Sequence, residues 1–316
     1  WDEVSKVFHR MENFEGGDGH VRGQDGPLGV SEVPDQNPLY DALFAAAESV
    51  GYRRNFDYNG SDQEGIAKTQ ATIKNGRRMS TAHCYLRPAM RRINLEVVTE
   101  AMTQRLLIKD KRCTGVVYKR GGQTYTVFCK QEVILSAGAV SSPQILELSG
   151  IGKPDILKQH GIDVRNELPG VGENLQDHLE MYIQYECKEP ISLYPALKWY
   201  NQPKIGAEWL FKGTGVGASN QFESCGFIRS RDDEEWPNLQ YHFLPIAISY
   251  NGKSAVQAHG FQAHVGSMRS ESRGRIRLTS KDPHAAPSIL FNYMAKEKDW
   301  EEFRDAILLT REIIAQ

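Results

Sequence analysis

Apolar positions recur at helical spacing in the first part of the chain, and the pattern turns to strand-like runs from Leu95 onward. Residues 2–14 read as a helical start that enters a glycine-rich turn over 16–29. Residues 41–50, with Leu43-Phe44-Ala45-Ala46-Ala47 at the centre, predict a helix stopped by Gly51. Residues 81–90 also have helical character, interrupted by Pro88. Beyond them, Leu106-Leu107-Ile108 leads into an Asp110-Lys111 turn. Residues 113–119 and 123–129 are two runs joined by Gly121-Gly122, a hairpin signal.

The densest pattern lies between Gln131 and Gly152, QEVILSAGAVSSPQILELSGIG. Val133-Ile134-Leu135 is a short continuous apolar run ended by small residues. It predicts a strand over 132–137 buried on both faces, as in a parallel sheet. Ala137-Gly138-Ala139 permit a sharp turn and a close approach to the backbone. Ser142 and Pro143 suit the N-cap and first position of a helix that Gly150 stops. Strand, glycine turn and helix N-terminus together form a βα unit of the kind that receives phosphates and nucleotides.

A second helix is predicted over 155–160, closed by Gly161, and residues 168–178 read as a loop. Strand-like runs follow at 182–187, 223–229, 239–244, 262–266 and 275–279, an antiparallel sheet of a second domain. Residues 299–314 predict an amphipathic helix with Phe303, Ile307, Leu308 and Ile314 on its apolar face. The fold class is therefore mixed α/β.

Composition narrows the function. The chain has 316 residues and 40% hydrophobic content, enough for a large core and two domains. A net charge of -2 gives no global pull towards nucleic acid. One stretch, residues 65–95, holds Lys68, Lys74, Arg77, Arg78, Arg87, Arg91 and Arg92 and no acid. It reads as a solvated basic face, or as a surface towards a cofactor pyrophosphate or an anionic membrane. Cys84, Cys113, Cys129, Cys187 and Cys225 are widely spaced and include no CxxC, so neither a disulfide framework nor a zinc site is indicated. No apolar run approaches the length of a membrane span. The chain starts without Met and stops inside a helical pattern, so both ends look cut.

Several motif readings fail on context. Gly17-x-Gly19 has no strand before it, and Gly213-x-Gly215-x-Gly217 has the wrong spacing for a dinucleotide fingerprint. There is no GxSxG elbow, Walker loop or HExxH, and His259 with His264 is not a credible metal pair.

The order Gly138-Ala139-x-x-Ser142-Pro143-x-Ile145-Leu146-x-x-Ser149-Gly150-Ile151-Gly152 resembles the second signature of the glucose–methanol–choline family of flavin oxidoreductases. Gly26-Pro27-Leu28, Arg78-x-Ser80-Thr81, Tyr85-Leu86-x-Pro88-Ala89 and LPGVGENLQDH over 168–178 are similar to that family too. Residues 192–211, 217–223, 259–270 and 289–294 resemble its choline-oxidising bacterial members. The resemblance implies a Rossmann-like FAD-binding domain over 65–180, a substrate-binding domain over 181–316, and a segment 1–64 shared between them. It implies FAD as cofactor, choline as substrate and betaine aldehyde as product. A respiratory quinone would accept the electrons, with a cytoplasmic or peripheral membrane location. It also places the GxGxxG unit before Trp1 and the catalytic histidine beyond Gln316. A chain of these bounds is then expected to be colourless and inactive with choline.

Site residues follow from the same resemblance. Glu223, in Gln221-Phe222-Glu223-Ser224 on a strand, matches a glutamate that holds the trimethylammonium group. That group has no N–H, so only a carboxylate or aromatic faces can hold it. Trp199, Tyr200, Trp209 and Phe211 are candidate aromatic walls, though packing explains most of them. Thr103 stands where relatives contact the adenine through main-chain atoms, and Ser136, Ala137 and Gly138 are expected near the adenosine half. His178 is read as structural.

Overall fold

The computed structural model describes residues 1–34, 37–249 and 258–316. In chain order the elements used below begin with α1 (Asp2–Met11), β1 (Glu12–Phe14), β2 (Leu28–Glu32), α2 (Pro38–Ser49) and β3 (Gly65–Lys68). Next come β4 (Met102–Lys109), β5 (Arg112–Arg120), β6 (Gln123–Phe128), α3 (Gly138–Leu148), α4 (Pro154–Gln159), β7 (Glu180–Glu186) and α5 (Gln202–Lys212). The last are β8 (Ser224–Ile228), β9 (Leu239–Leu244), β10 (Gly260–Ser267), β11 (Arg275–Arg277), β12 (Ser288–Leu290) and α6 (Glu297–Ile314). Contacts gather the chain into two units that are discontinuous in sequence. One takes Trp1–Leu95, His178–Arg269 and Trp300–Gln316, and the other takes Glu96–Asp177 and Ser270–Asp299.

The first unit is built on a five-stranded antiparallel sheet, in the order β7-β10-β9-β8-β3. Successive side chains on a strand point to opposite faces. Leu239, Tyr241, Phe243, Ala263 and Val265 therefore share one face, which packs with Leu39, Tyr40, Phe44 and Ala47 of α2 and with Ala306 and Ile313 of α6. Gln240, His242, Gln262 and His264 alternate onto the other face. Helix α6 differs from the expected apolar stripe: Leu308 is exposed, while Glu302 and Thr310 are buried. The sheet supplies the reason, because it offers polar partners. Glu302 accepts from Asn238 Nδ2 at 3.2 Å and from the Ser267 hydroxyl, and the Thr310 hydroxyl donates to Tyr241 Oη at 3.1 Å.

The glycine-rich turn after β1 closes around Arg22, which is 2% exposed. Arg22 Nε donates to Glu12 Oε2 at 2.9 Å, Nη1 donates to Gln70 Oε1 at 2.9 Å, and Asp57 pairs with the same group. The guanidinium lies 4.2 Å from the Phe14 ring centroid. Burial acts against its charge, and Glu12 and Asp57 outweigh that and raise its pKa. Residues 81–90 wind as a π-turn, Ala82–Leu86, followed by one turn of α-helix, Arg87–Ala89. Pro88, which has no N–H to donate, lies in that last turn.

The second unit contains the expected meander, β4-β5-β6. Its turns use positive φ at both central residues, Asp110 (49°) with Lys111 (62°) and Gly121 (55°) with Gly122 (83°), the twist that suits hairpins. Ser149 ties α3 to β4: its Oγ accepts from Leu106 N at 2.8 Å and donates to Ile145 O at 2.5 Å. Gly150 ends the helix at φ +80°, where a Cβ would meet Asp163 O at 2.3 Å.

Three expectations are corrected in this unit. Residues 132–137 form no strand, and Ile134 is 79% exposed. A run that is apolar on both faces needs strands on either side, and among the described residues none pairs with it. Helix α3 begins at Gly138, ahead of Ser142, because Ser142 Oγ reaches back to accept from Ala137 N at 3.1 Å. Pro143 then sits inside the helix. Arg275–Arg277 does not join the five-stranded sheet but pairs with Ser288–Leu290. Next to it, Glu147 is 1% exposed and its Oε2 accepts from Leu278 N at 2.8 Å. Burial pushes the Glu147 pKa up, against the pull of the Leu278 N–H and Arg277. Among the described residues no helix is long and apolar enough to cross a membrane.

Replacing Arg22 by Met leaves Glu12 and Asp57 facing each other without a cation. Urea unfolding is expected to report a loss of about 3 kcal/mol, and the added pair Glu12→Gln and Asp57→Asn should recover part of it. An unchanged midpoint contradicts the role given to Arg22.

Candidate functional site

Helix α5 ends at Gly213 in the left-handed conformation (φ 66°), and the chain passes a short turn, Val216–Ala218, towards β8. Gly76 packs so tightly here that a Cβ would lie 2.2 Å from Gly213 O, and Trp209 Nε1 donates to Gly76 O at 2.7 Å. The two backbones thus wall one side of a cavity. The next residues are held locally. Gln221 has φ +68°, its N–H donates to Ser219 Oγ at 2.9 Å, and its side-chain Nε2 donates to Val216 O at 2.5 Å. Phe222 N donates to Asn220 Oδ1 at 3.2 Å.

Glu223 follows. It stands immediately before β8, one residue short of the strand on which its sequence context places it. It is 7% exposed, and its carbonyl accepts from Thr69 N at 3.1 Å. Glu223 and Gln221 line a cavity of about 440 Å³ with Ser31, Asn37, Asn75 and Leu193 among its walls. Among the described residues, Gln221 Oε1 and Ser224 Oγ, on either side of Glu223, are buried without a hydrogen-bond partner. A cavity of this size with an acidic residue in its wall suits a small cationic ligand.

The candidate aromatic residues do not line it. Trp199 and Phe211 are each 82% exposed, and Tyr200 is also exposed. Trp209 instead lines an adjacent cleft of about 840 Å³ with Arg77, Arg78, His83, Arg87 and Phe222. Part of the basic stretch therefore gathers in that cleft, which repels cations.

The polar sheet face carries a cluster that the sequence reading passed over. The Phe222 ring stands edge-on to His242 at 5.8 Å and to His264 at 5.7 Å. His264 Nδ1 lies 2.6 Å from Glu180 Oε1, and its Nε2 lies 2.6 Å from Gln262 Nε2. Gln262 Oε1 accepts from Ile248 N at 3.0 Å and from Gln184 Nε2 at 2.8 Å. The amide is thereby fixed with its NH₂ towards His264, so His264 Nε2 accepts and Nδ1–H donates to Glu180. The signal was one of register: His242 faces His264 across the strands, and Tyr182 faces His264. Burial depresses the His242 pKa, His264 and exposed His178 add to this, and Glu180 opposes it. Among the described residues no cluster can hold a metal.

The cofactor candidates lie in the second unit. Ser136, Ala137 and Gly138 are exposed at the N-terminus of α3. At Gly138 (φ +84°) nothing lies within 4 Å of where a Cβ would be. An open glycine before free helical N–H groups fits an extended anionic dinucleotide. Thr103 is on β4, opposite Tyr118 and beside a bulge.

Two family patterns, each described as GMC oxidoreductase, match the chain, one over residues 1–180 and one over residues 270–316. The chain belongs to the GMC oxidoreductase family. It is 67% identical over 320 residues to the oxygen-dependent choline dehydrogenase of Chromohalobacter salexigens, covering 100% of this chain and 57% of that protein. It is 56% identical over 313 residues to the protein of that name from Cronobacter sakazakii, covering 98% of this chain and 56% of the relative. The chain thus spans little more than half the length of these curated relatives. Among solved structures, pyridoxine 4-oxidase from Mesorbium loti superposes with a TM-score of 0.85 at 27% identity, over 100% of this chain and 58% of that one. Formate oxidase from Aspergillus oryzae superposes with a TM-score of 0.90 at 22% identity, over 99% of this chain and 60% of that one.

A depressed His242 pKa means that stability is fully present above its ordinary value of 6.5 and is lost as pH falls through the folded value. As pH falls below 6.5, stability of the wild-type chain in urea should decline more steeply than that of His242→Gln. Equal slopes would place the acid sensitivity elsewhere.

Proposed function

We propose that this chain carries the choline-recognising part of an FAD-dependent oxidoreductase that converts choline to betaine aldehyde, a step towards glycine betaine. The observation that carries this reading is 67% identity along the whole chain to a choline dehydrogenase. FAD, when bound, supplies the acceptor for the hydride leaving the alcohol carbon. Ser136, Ala137, Gly138 and Thr103 lie along its adenosine half, through backbone groups. Glu223 holds the trimethylammonium group by charge. A lyase acting on neutral cyanohydrins, or an oxidase of uncharged alcohols, has no use for a carboxylate in that cavity. Electrons pass to a respiratory quinone, and the name of the relatives adds oxygen as an acceptor to be measured beside it. Contact with the cytoplasmic face of a membrane is peripheral, through Arg77, Arg78, Arg87 and their neighbours.

Two measurements test this reading in a protein of the relatives' full length. Glu223→Gln should lower kcat/KM for choline about 10–100-fold more than for the neutral isostere 3,3-dimethylbutanol, because a carboxylate interacts with a desolvated cation far more strongly than an amide does. Equal losses for both substrates make Glu223 a scaffold residue. Molar salt, which shortens screening to about 3 Å, should release the protein from membranes, and retention in the pellet excludes the arginines as its sole anchor.

A further inference from the structure

The turn that carries Glu223 is supported from an unexpected side. Tyr40, on α2, is 0% exposed and lies in the dry core, edge-on to Phe243 at 6.3 Å between ring centroids. Its ring belongs to the packing, and its hydroxyl reaches the turn. Tyr40 Oη donates to Gln221 O at 3.1 Å and accepts from Glu223 N at 3.3 Å. One oxygen therefore bridges the two backbone groups on either side of Phe222. The turn needs such a bridge, because Gln221 sits at φ +68°, a conformation that side-chain-bearing residues rarely adopt and that persists only when its surroundings impose it.

The bridge is itself anchored. Asn37 caps α2 by accepting from Leu39 N at 3.0 Å, and its Nδ2 donates to Ile191 O at 3.0 Å. Asn37 also lines the cavity that Glu223 lines. The start of α2 and the turn, both in the cavity wall, are thus joined from behind through the Tyr40 hydroxyl.

We propose that Tyr40 is a positioning residue for cation recognition: its hydroxyl fixes the turn that sets where the Glu223 carboxylate stands. This rests on the reading of Glu223 as the choline carboxylate. A charge held at one place attracts a cation more strongly than a charge that wanders, whereas a neutral substrate is indifferent to it. The hydroxyl can be removed while the ring, which fills the core, is kept.

The test uses the flavin-loaded holoenzyme of the relatives' full length, as wild type, Tyr40→Phe, Glu223→Gln and the double variant. Steady-state kcat/KM is measured for choline and for 3,3-dimethylbutanol. Tyr40→Phe should lower the choline value about tenfold, mostly through KM, and the neutral value by no more than about twofold. In the double variant the loss of choline preference should not exceed that of Glu223→Gln alone. If Tyr40→Phe lowers both substrates alike while Glu223→Gln destroys the preference, the positioning role is overturned and the reading of Glu223 stands. If neither variant changes the preference, that reading fails and the proposal with it.

Discussion

The side-chain alternation of one antiparallel sheet governs the first unit. With a period of two, β9 and β10 send Tyr241, Phe243, Ala263 and Val265 to one face and His242, Gln262 and His264 to the other. Hydrophobic burial under α2 and α6 fixes the register, since a slip of one residue would put imidazoles and amides into the dry core. The polar face is therefore determined by the apolar one. Its groups satisfy one another in a chain from Glu180 through His264 and Gln262 to Gln184, which lets His264 be buried without an unpaired nitrogen.

Glu223 stands where these two regimes meet. Its backbone is gripped by Tyr40 from the dry side, and Phe222 beside it rests on the histidines of the polar side. A quaternary ammonium, the cation proposed to enter the cavity beside Glu223, is weakly hydrated and gives up little on leaving water. The basic cleft on the other side of the turn, with Arg77, Arg78 and Arg87, disfavours the same ion.

Local rules made much of this legible. Gly121-Gly122 and Asp110-Lys111 predicted their hairpins, and Gly150 predicted its helix end, because each depends on conformations that only nearby residues decide. Four strands of the main sheet were legible from their runs, whereas β3 lies in the basic stretch and was not read as a strand. The failures are non-local. Val133-Ile134-Leu135 has the pattern of a doubly buried strand, but burial needs partners that no local pattern supplies. The inward face of α6 was misjudged because Asn238, Ser267 and Tyr241, distant in sequence, make Glu302 and Thr310 good core residues. The His242–His264 pair is a fact of register, and Tyr40 reaches the turn across a long separation in sequence. The resemblance to a family named Glu223 but could not name what holds it.

The central claim is that the cavity beside Glu223, and not the arginine-lined cleft, receives the substrate cation. The most direct measurement is a crystal structure of the flavin-loaded protein, at its relatives' full length, with choline or glycine betaine bound. The account predicts the trimethylammonium group in the cavity shared by Gln221 and Glu223, within about 4–6 Å of the Glu223 carboxylate, the range over which opposite charges act strongly on each other. A ligand seated instead against Trp209 and Phe222, away from Glu223, would contradict it.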